Sequence, residues 1–138
     1  MRGKYVLDAC AVIAFLNDED GANRVEQLLS QGDRAPNTLF MHEINLLDIY
    51  YGVYRDEGKE IAEQTYVKVF DLPIKFVTGL RENVFREAGR LKAVYKISLA
   101  DSIALSEAKI RRIPLVTCDH HEFDPIQDKN ELDFLWIR

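Results

Sequence analysis

Four carboxylic acids stand out by the company they keep: Asp8, Glu43, Asp101 and Asp119. Asp101 opens a helix-like stretch in which Ala104, Leu105 and Ala108 follow at helical spacing, so it falls on the apolar face. Glu43 lies between Phe40 and Leu47, within or beside an apolar stripe and off the solvent face. Asp8 ends the apolar run Lys4 to Leu7, and Asp119 follows the run Ile113 to Thr117. Carboxylates turned into one region repel, by ~4 kcal/mol for two unit charges ~4 Å apart at an effective dielectric near 20. No lysine or arginine shares those inward faces. Uncompensated, some of the acids take up protons. A hard divalent cation, magnesium or manganese, takes carboxylate and water oxygens and resolves the conflict. Two such ions ~3.5–4 Å apart can orient a water and stabilise a leaving oxygen in phosphodiester cleavage.

The elements that must position these acids follow from periodicity. Lys4–Leu7 reads as a buried strand, Ala11–Leu16 as a short helix, and Ala22–Ser30 as a second helix. Arg34–Asn37 is a connector or short strand. Thr38 is a candidate N-cap for a long helix carrying Phe40, Ile44, Leu47, Tyr51 and Tyr54 on one face. Gly58 breaks it, and Glu60–Val69 reads as another helix. Pro73–Val77 is a strand, Leu80–Tyr95 an amphipathic helix, and Ser98 to about Arg112 the helix of Asp101. Ile113–Thr117 and Asp133–Ile137 are strands. Strands alternating with one or two helices predict an α/β fold, a parallel sheet covered on both faces. In such sheets ligands bind beyond the carboxyl ends of the strands, where Asp8 and Asp119 lie.

Each acid also has a bland reading. Asp101 completes a capping box with Ser98, Asp8 caps the helix after the first strand, and Asp119 is a loop acid. Glu43 is the hardest to explain so, because a charge on an apolar stripe is rarely buried without a partner. Together the four favour a metal site. His120 and His121 beside Cys118 make a poor zinc pattern and read as exposed loop histidines. Cys10 and Cys118 follow two strands that could be neighbours; free thiols are expected, with a regulatory disulfide as the other possibility. Arg81, Arg86, Arg90, Lys92 and Lys96, with Lys109, Arg111 and Arg112, are solvated charges or contacts to substrate phosphates near the acids. Tyr50, Tyr51 and Tyr54 read as core or as a partner contact rather than a base-stacking platform.

The length of 138 residues predicts one domain, 1–138, large enough for a core without staples. A net charge of −5 argues against a simple nucleic-acid-binding surface, although without the four acids the balance is close to neutral. No apolar run approaches the ~20 residues of a membrane span, and Asp8 interrupts the only signal-like segment. A cytoplasmic protein with no membrane attachment is expected.

With their flanks, the four acids resemble the signature of the PIN-domain ribonucleases. The segments are Tyr5-Val6-Leu7-Asp8-Ala9-Cys10, Met41-His42-Glu43-Ile44, Leu99-Ala100-Asp101-Ser102 and Leu115-Val116-Thr117-Cys118-Asp119, with Phe123 following. The size is similar to that of the VapC toxins of prokaryotic toxin–antitoxin pairs. The resemblance implies a three-layer α/β/α sandwich with a central parallel sheet. It implies Mg2+- or Mn2+-dependent endoribonuclease activity, with Asp8, Glu43, Asp101 and Asp119 as catalytic metal ligands. An RNA substrate, an antitoxin partner and a homodimer are implied too. Cys10 departs from the Ser or Thr often found two residues after the first acid, and a thiol is the weaker hydrogen-bond partner. Where the family often has a further Asp, this chain has His120, His121 and Glu122, then Asp124, and which of them supports a metal stays open. The alternatives are a non-catalytic interaction module of the same fold and an RNA-processing nuclease without an antitoxin. A haloacid-dehalogenase-type phosphatase fits poorly, because Cys10 stands where its second Asp would. A receiver domain would need paired acids after the first strand and a late lysine, and does not fit either.

Overall fold

The computed structural model describes residues 3–138. Along the chain run β1 (Tyr5–Leu7), α1 (Ala9–Leu16), α2 (Ala22–Arg34), β2 (Leu39–His42), α3 (Glu43–Glu57) and α4 (Lys59–Phe70). Then come β3 (Lys75–Val77), α5 (Glu82–Val94), α6 (Leu99–Arg111), β4 (Leu115–Thr117), α7 (His120–Asp128) and β5 (Phe134–Trp136). The strands form one all-parallel sheet in the order β3-β2-β1-β4-β5. The chain builds outward from β1 to β3, then returns to the other side of β1 with β4. The order therefore reverses between β1 and β4, which is the switch point at which such sheets bind ligands.

Alternation along the short strands explains the layers. Leu7, Leu39, Met41 and Val116 point to one face and pack with Val12, Val25, Leu28 and Ile49 from α1, α2 and α3. Val6, Phe40 and Leu115 point to the other and pack with Leu91, Leu105, Phe123 and Ile126 from α5, α6 and α7. The central strands β1, β2 and β4 are buried on both faces, while the edge strands β3 and β5 are partly open. This is the three-layer α/β/α arrangement expected.

Two elements differ from expectation. Leu39–His42 is a strand, not the start of the long helix, and α3 begins only at Glu43. Every residue of β2 is buried, so it shows no alternation, and Phe40 happens to be in phase with the α3 stripe. The second is α7, which places His120 and His121 in a helical first turn rather than a loop. Gly58 does end α3, at φ +92, a conformation that suits glycine.

Candidate active site

Four helices start at the carboxyl edge of the sheet, and each carries one of the four acids at its first turn or cap. Asp8 is the N-cap of α1; its Oδ1 accepts the Ala11 N–H at 2.9 Å. Asp119 caps α7 and accepts the Glu122 N–H at 3.1 Å. Asp101 lies in the first turn of α6, and its N–H donates to the Ser98 cap at 3.0 Å, the expected half of a capping box. Glu43 is the first residue of α3. Helix N-termini favour negative charge, so the backbone supplies part of the compensation.

That part is insufficient. Asp8 is only 2% exposed, and burial pushes its carboxyl from 3.8 up to about 7. Hydrogen bonds from Thr117 and Ala11 pull it down, while the charges of Asp101 and Asp119 add to the rise. Asp101, half-buried, is pushed up to about 6, first by burial and then by Asp119, Glu122 and Asp48. No cation figures among the causes for either acid. Asp8, Asp101 and Asp119 thus feel one another's charge.

Glu43 is held differently. It is exposed, against the expectation that it would avoid the solvent face, and its Oε2 accepts the Gly79 N–H at 3.0 Å. The later start of α3 explains this: Glu43 stands at the helix mouth, not midway along the stripe. The charges of Asp48 of α3, which the sequence reading passed over, and of Glu122, which it left open, also bear on Asp101. Among the described residues, no three of His, Cys, Asp and Glu stand close enough together, as placed, to hold a metal ion. The donor set itself, all carboxylate oxygen and short of positive charge, suits a hard divalent cation. Chemistry fits the ion; convergence of the side chains is incomplete.

The family model for the PIN domain matches residues 5–129. The chain belongs to the PIN-domain family. Its fold is shared with DNA-bound VapBC from Salmonella typhimurium, at TM-score 0.72 and 15% identity over 99% of each chain. It is shared with VapBC2 from Rickettsia felis bound to a promoter DNA fragment, at TM-score 0.68 and 22% identity over 96% of this chain and 97% of that one. VapBC-1 from nontypeable Haemophilus influenzae gives 0.69 and 20% identity over 96% and 97%. Among curated proteins none matches the chain.

Within this PIN domain three further residues hold the acids, and the sequence reading gave them no role. The Thr117 hydroxyl is fully buried and donates to Asp8 Oδ2 at 2.5 Å, while its oxygen accepts the Asp119 N–H at 3.1 Å. One side chain therefore ties the first acid to the turn of the last. His42, 1% exposed, caps α3: its Nδ1 accepts the Ile44 N–H at 3.0 Å. That bond assigns the proton to Nε2, which donates to the Gly79 carbonyl at 2.7 Å. His42 and Glu43 thus grip both sides of Gly79, a residue at φ +73. Asn45 donates to the Ala100 carbonyl at 3.1 Å and so fixes α3 against the residue before Asp101. A polar residue on a helix flank at spacing two from an acid was the signal available for Asn45.

Several other expectations change. Cys10 and Cys118 are disulfide-bonded, not free. His120 is exposed but occupied. It stacks on Trp136 with ring centroids 3.8 Å apart, and its nitrogens face Asp124 and the Arg138 carbonyl. The Asp124 contact raises its pKa. The basic run is largely spent internally. Arg81 pairs with Glu107, Arg86 with Glu82, Arg90 with Glu87 and Glu131, and Lys92 donates to the Ile97 carbonyl. Tyr51 and Tyr54 are exposed, which removes the core reading and keeps the partner-contact one.

Proposed function

We propose that this single PIN-like domain is a divalent-metal-dependent endoribonuclease of the cytoplasm and the toxin of a VapBC-type pair. The observation that carries the reading is the buried acid group at the switch point, with Asp8 and Asp101 raised to about 7 and 6 and, among the described residues, no cation among the main causes to offset them. Asp8, Asp101 and Asp119 would hold a Mg2+ or Mn2+ ion, directly or through water, with Glu43 at the rim. A divalent ion held there supplies Lewis acidity toward an RNA phosphodiester and toward water. Thr117 orients Asp8, the helix N-termini fix the carboxylate directions, and burial keeps bulk water from screening them.

The partner reading rests on exposed apolar surface. Leu47, Tyr51, Val67 and Phe70 of α3 and α4 are each more than half exposed. Beside them a cleft of about 460 Å³ between α1, α3 and α4 is lined by Ile13, Leu16, Ile49 and Val53 on its apolar side and by Arg55, Asp56, Glu57 and Lys68 on its charged side. Apolar patches of this kind mark protein contacts. We assign this surface to the antitoxin, in line with the toxin–antitoxin complexes that share the fold, and to a homodimer contact. No helix among the described residues is long and apolar enough to cross a membrane.

The test is Asp101→Asn assayed on structured RNA with Mg2+ or Mn2+. Cleavage should fall by at least about a hundredfold while the melting temperature holds or rises. Full activity in that variant ends the reading. Wild-type protein that binds a partner yet never cleaves RNA with either ion supports the interaction module instead, the reading favoured by the incomplete convergence of the acids.

A further inference from the structure

Cys10 sits in the first turn of α1, two residues after Asp8, and Cys118 joins β4 to α7, one residue before Asp119. Because β1 and β4 are parallel neighbours, the two turns that leave them run side by side, and the Cα atoms of the cysteines are 6.1 Å apart. That is within the span a disulfide bridges without backbone movement. The bond joins positions 108 residues apart. The other direct ties between these turns are the Thr117 hydroxyl on Asp8 and the Asp8 N–H on the Val116 carbonyl at 3.2 Å. The side chains those ties align are like-charged carboxylates, which push the turns apart. Both cysteines are half-buried, open enough for a small thiol to reach the sulfurs.

We propose that Cys10 and Cys118 are a reversible dithiol–disulfide clamp, which when oxidised fixes the turns bearing Asp8 and Asp119 and when reduced lets them part. The coupling to a metal rests on the nuclease reading above; the clamp itself does not. Opening is thiol–disulfide exchange. The thiolate of a small thiol attacks one sulfur, the other leaves as a thiolate and takes a proton, and a second small thiol releases a small-molecule disulfide. Two small thiols are oxidised and one protein disulfide is reduced. Closing is the reverse. Reducing surroundings favour the open form, so oxidation tightens the acid pocket.

The experiment compares wild-type protein equilibrated in oxidised and reduced glutathione with the Cys10→Ser, Cys118→Ser double variant under both conditions. Reduction should lower the melting temperature of the wild type by about 5–10 °C. Amide exchange at Ala11 and Glu122, whose N–H groups the two acids accept, should quicken about tenfold. Affinity for Mn2+ measured by calorimetry should weaken about tenfold. The variant should match reduced wild type and ignore glutathione. If the variant does not fold, a reversible change in wild type across the glutathione series carries the test. Two titratable thiols remaining after oxidation overturn the proposal, as do unchanged melting and exchange, or equal Mn2+ affinity in both states. Melting and exchange steps without Mn2+ uptake in either state uphold the clamp and refute the metal reading.

Discussion

On the α5–α6 flank, buried acids meet arginine and lysine; at the carboxyl edge of the sheet, buried acids meet one another. Glu107, 1% exposed in the middle of α6, receives Arg81 and Arg111, each at 3.1 Å. Nearby, Glu131 accepts from Arg90 at 2.8 Å, Lys109 at 2.7 Å and Tyr95 at 2.9 Å. Arg90 first, then Lys109, holds Glu131 down at about 2. At the edge, burial drives Asp8 and Asp101 up, and among the described residues no cation is a leading cause that offsets it. The chain can evidently answer a buried acid with a basic residue and does so within one helix length of the pocket. That the pocket lacks such an answer is what marks it as a place for an external positive charge.

The two regions therefore make opposite claims on stability. Glu131 is depressed from 4.5 to about 2, so its contribution is present above 4.5 and is lost as pH falls toward 2. Asp8 and Asp101 are raised from 3.8, so theirs is present below about 4 and is lost as pH rises through about 6 to 7.

The largest effect expected from breaking the contrast is on the compensated side. Glu107→Ala should destabilise by about 3 kcal/mol in urea unfolding, since it opens a cavity and leaves Arg111 largely buried without a partner. Half-exposed Arg81 keeps the cost from being larger, because water can take up its charge. A loss under about 1 kcal/mol would erase the distinction drawn between the regions.

Removing an acid from the other side should act in the opposite direction. Asp8→Asn keeps an oxygen for the Ala11 N–H, and the Thr117 hydroxyl can turn to accept from the new amide. Metal-free protein should gain about 2 kcal/mol at pH 8, less than the full pKa shift implies because a buried amide also costs desolvation. At pH 4.5, where Asp8 is already protonated, the gain should vanish. A variant equally destabilised at both pH values would mean that Asp8 serves structure alone.

Adding the missing charge should sharpen the comparison without any mutation. Mg2+ or Mn2+ at ten times its dissociation constant should stabilise wild type by about 1.4 kcal/mol at pH 8. It should do nothing measurable at pH 4.5, where protons hold the pocket. Thermal scans at the two pH values decide this, and equal shifts at both would place the ion elsewhere.

How much of this contrast was legible beforehand depended on which physical signal each residue left. Asp8 and Asp119 stand beyond strand ends because an apolar run ending in an acid puts that acid at the carboxyl edge of a parallel sheet. Asp101 was placed by periodicity and its cap. Glu43 was misplaced because β2 is buried on both faces and hides inside the phase of α3, which moved the apparent start of the helix. Pro125 and the polar run around it obscured α7, and with it the capping role of Asp119. The basic residues looked free because Glu107 and Glu131 are distant in sequence from most of the cations they meet. The strands before Cys10 and Cys118 were read as possible neighbours, which β1 and β4 are, but redox habit favoured free thiols over the disulfide they form.

The finest test concerns Thr117, whose hydroxyl links the two acid-bearing turns. Thr117 lowers the Asp8 carboxyl by donating to it, against the larger effect of burial. Thr117→Val preserves shape, removes that bond, and also deprives the Asp119 N–H of its acceptor. The carboxyl of Asp8 should then rise by about half a unit to one unit above its present value near 7. The change is read by NMR titration of the Asp8 carboxyl carbon in metal-free protein. Because the variant stays neutral and isosteric, its fold should lose less than about 1.5 kcal/mol, so the titration reports the local bond and not unfolding. A carboxyl that stays put or falls would show that solvent already reaches Asp8. The contrast with Glu107 would then reduce to a difference in exposure.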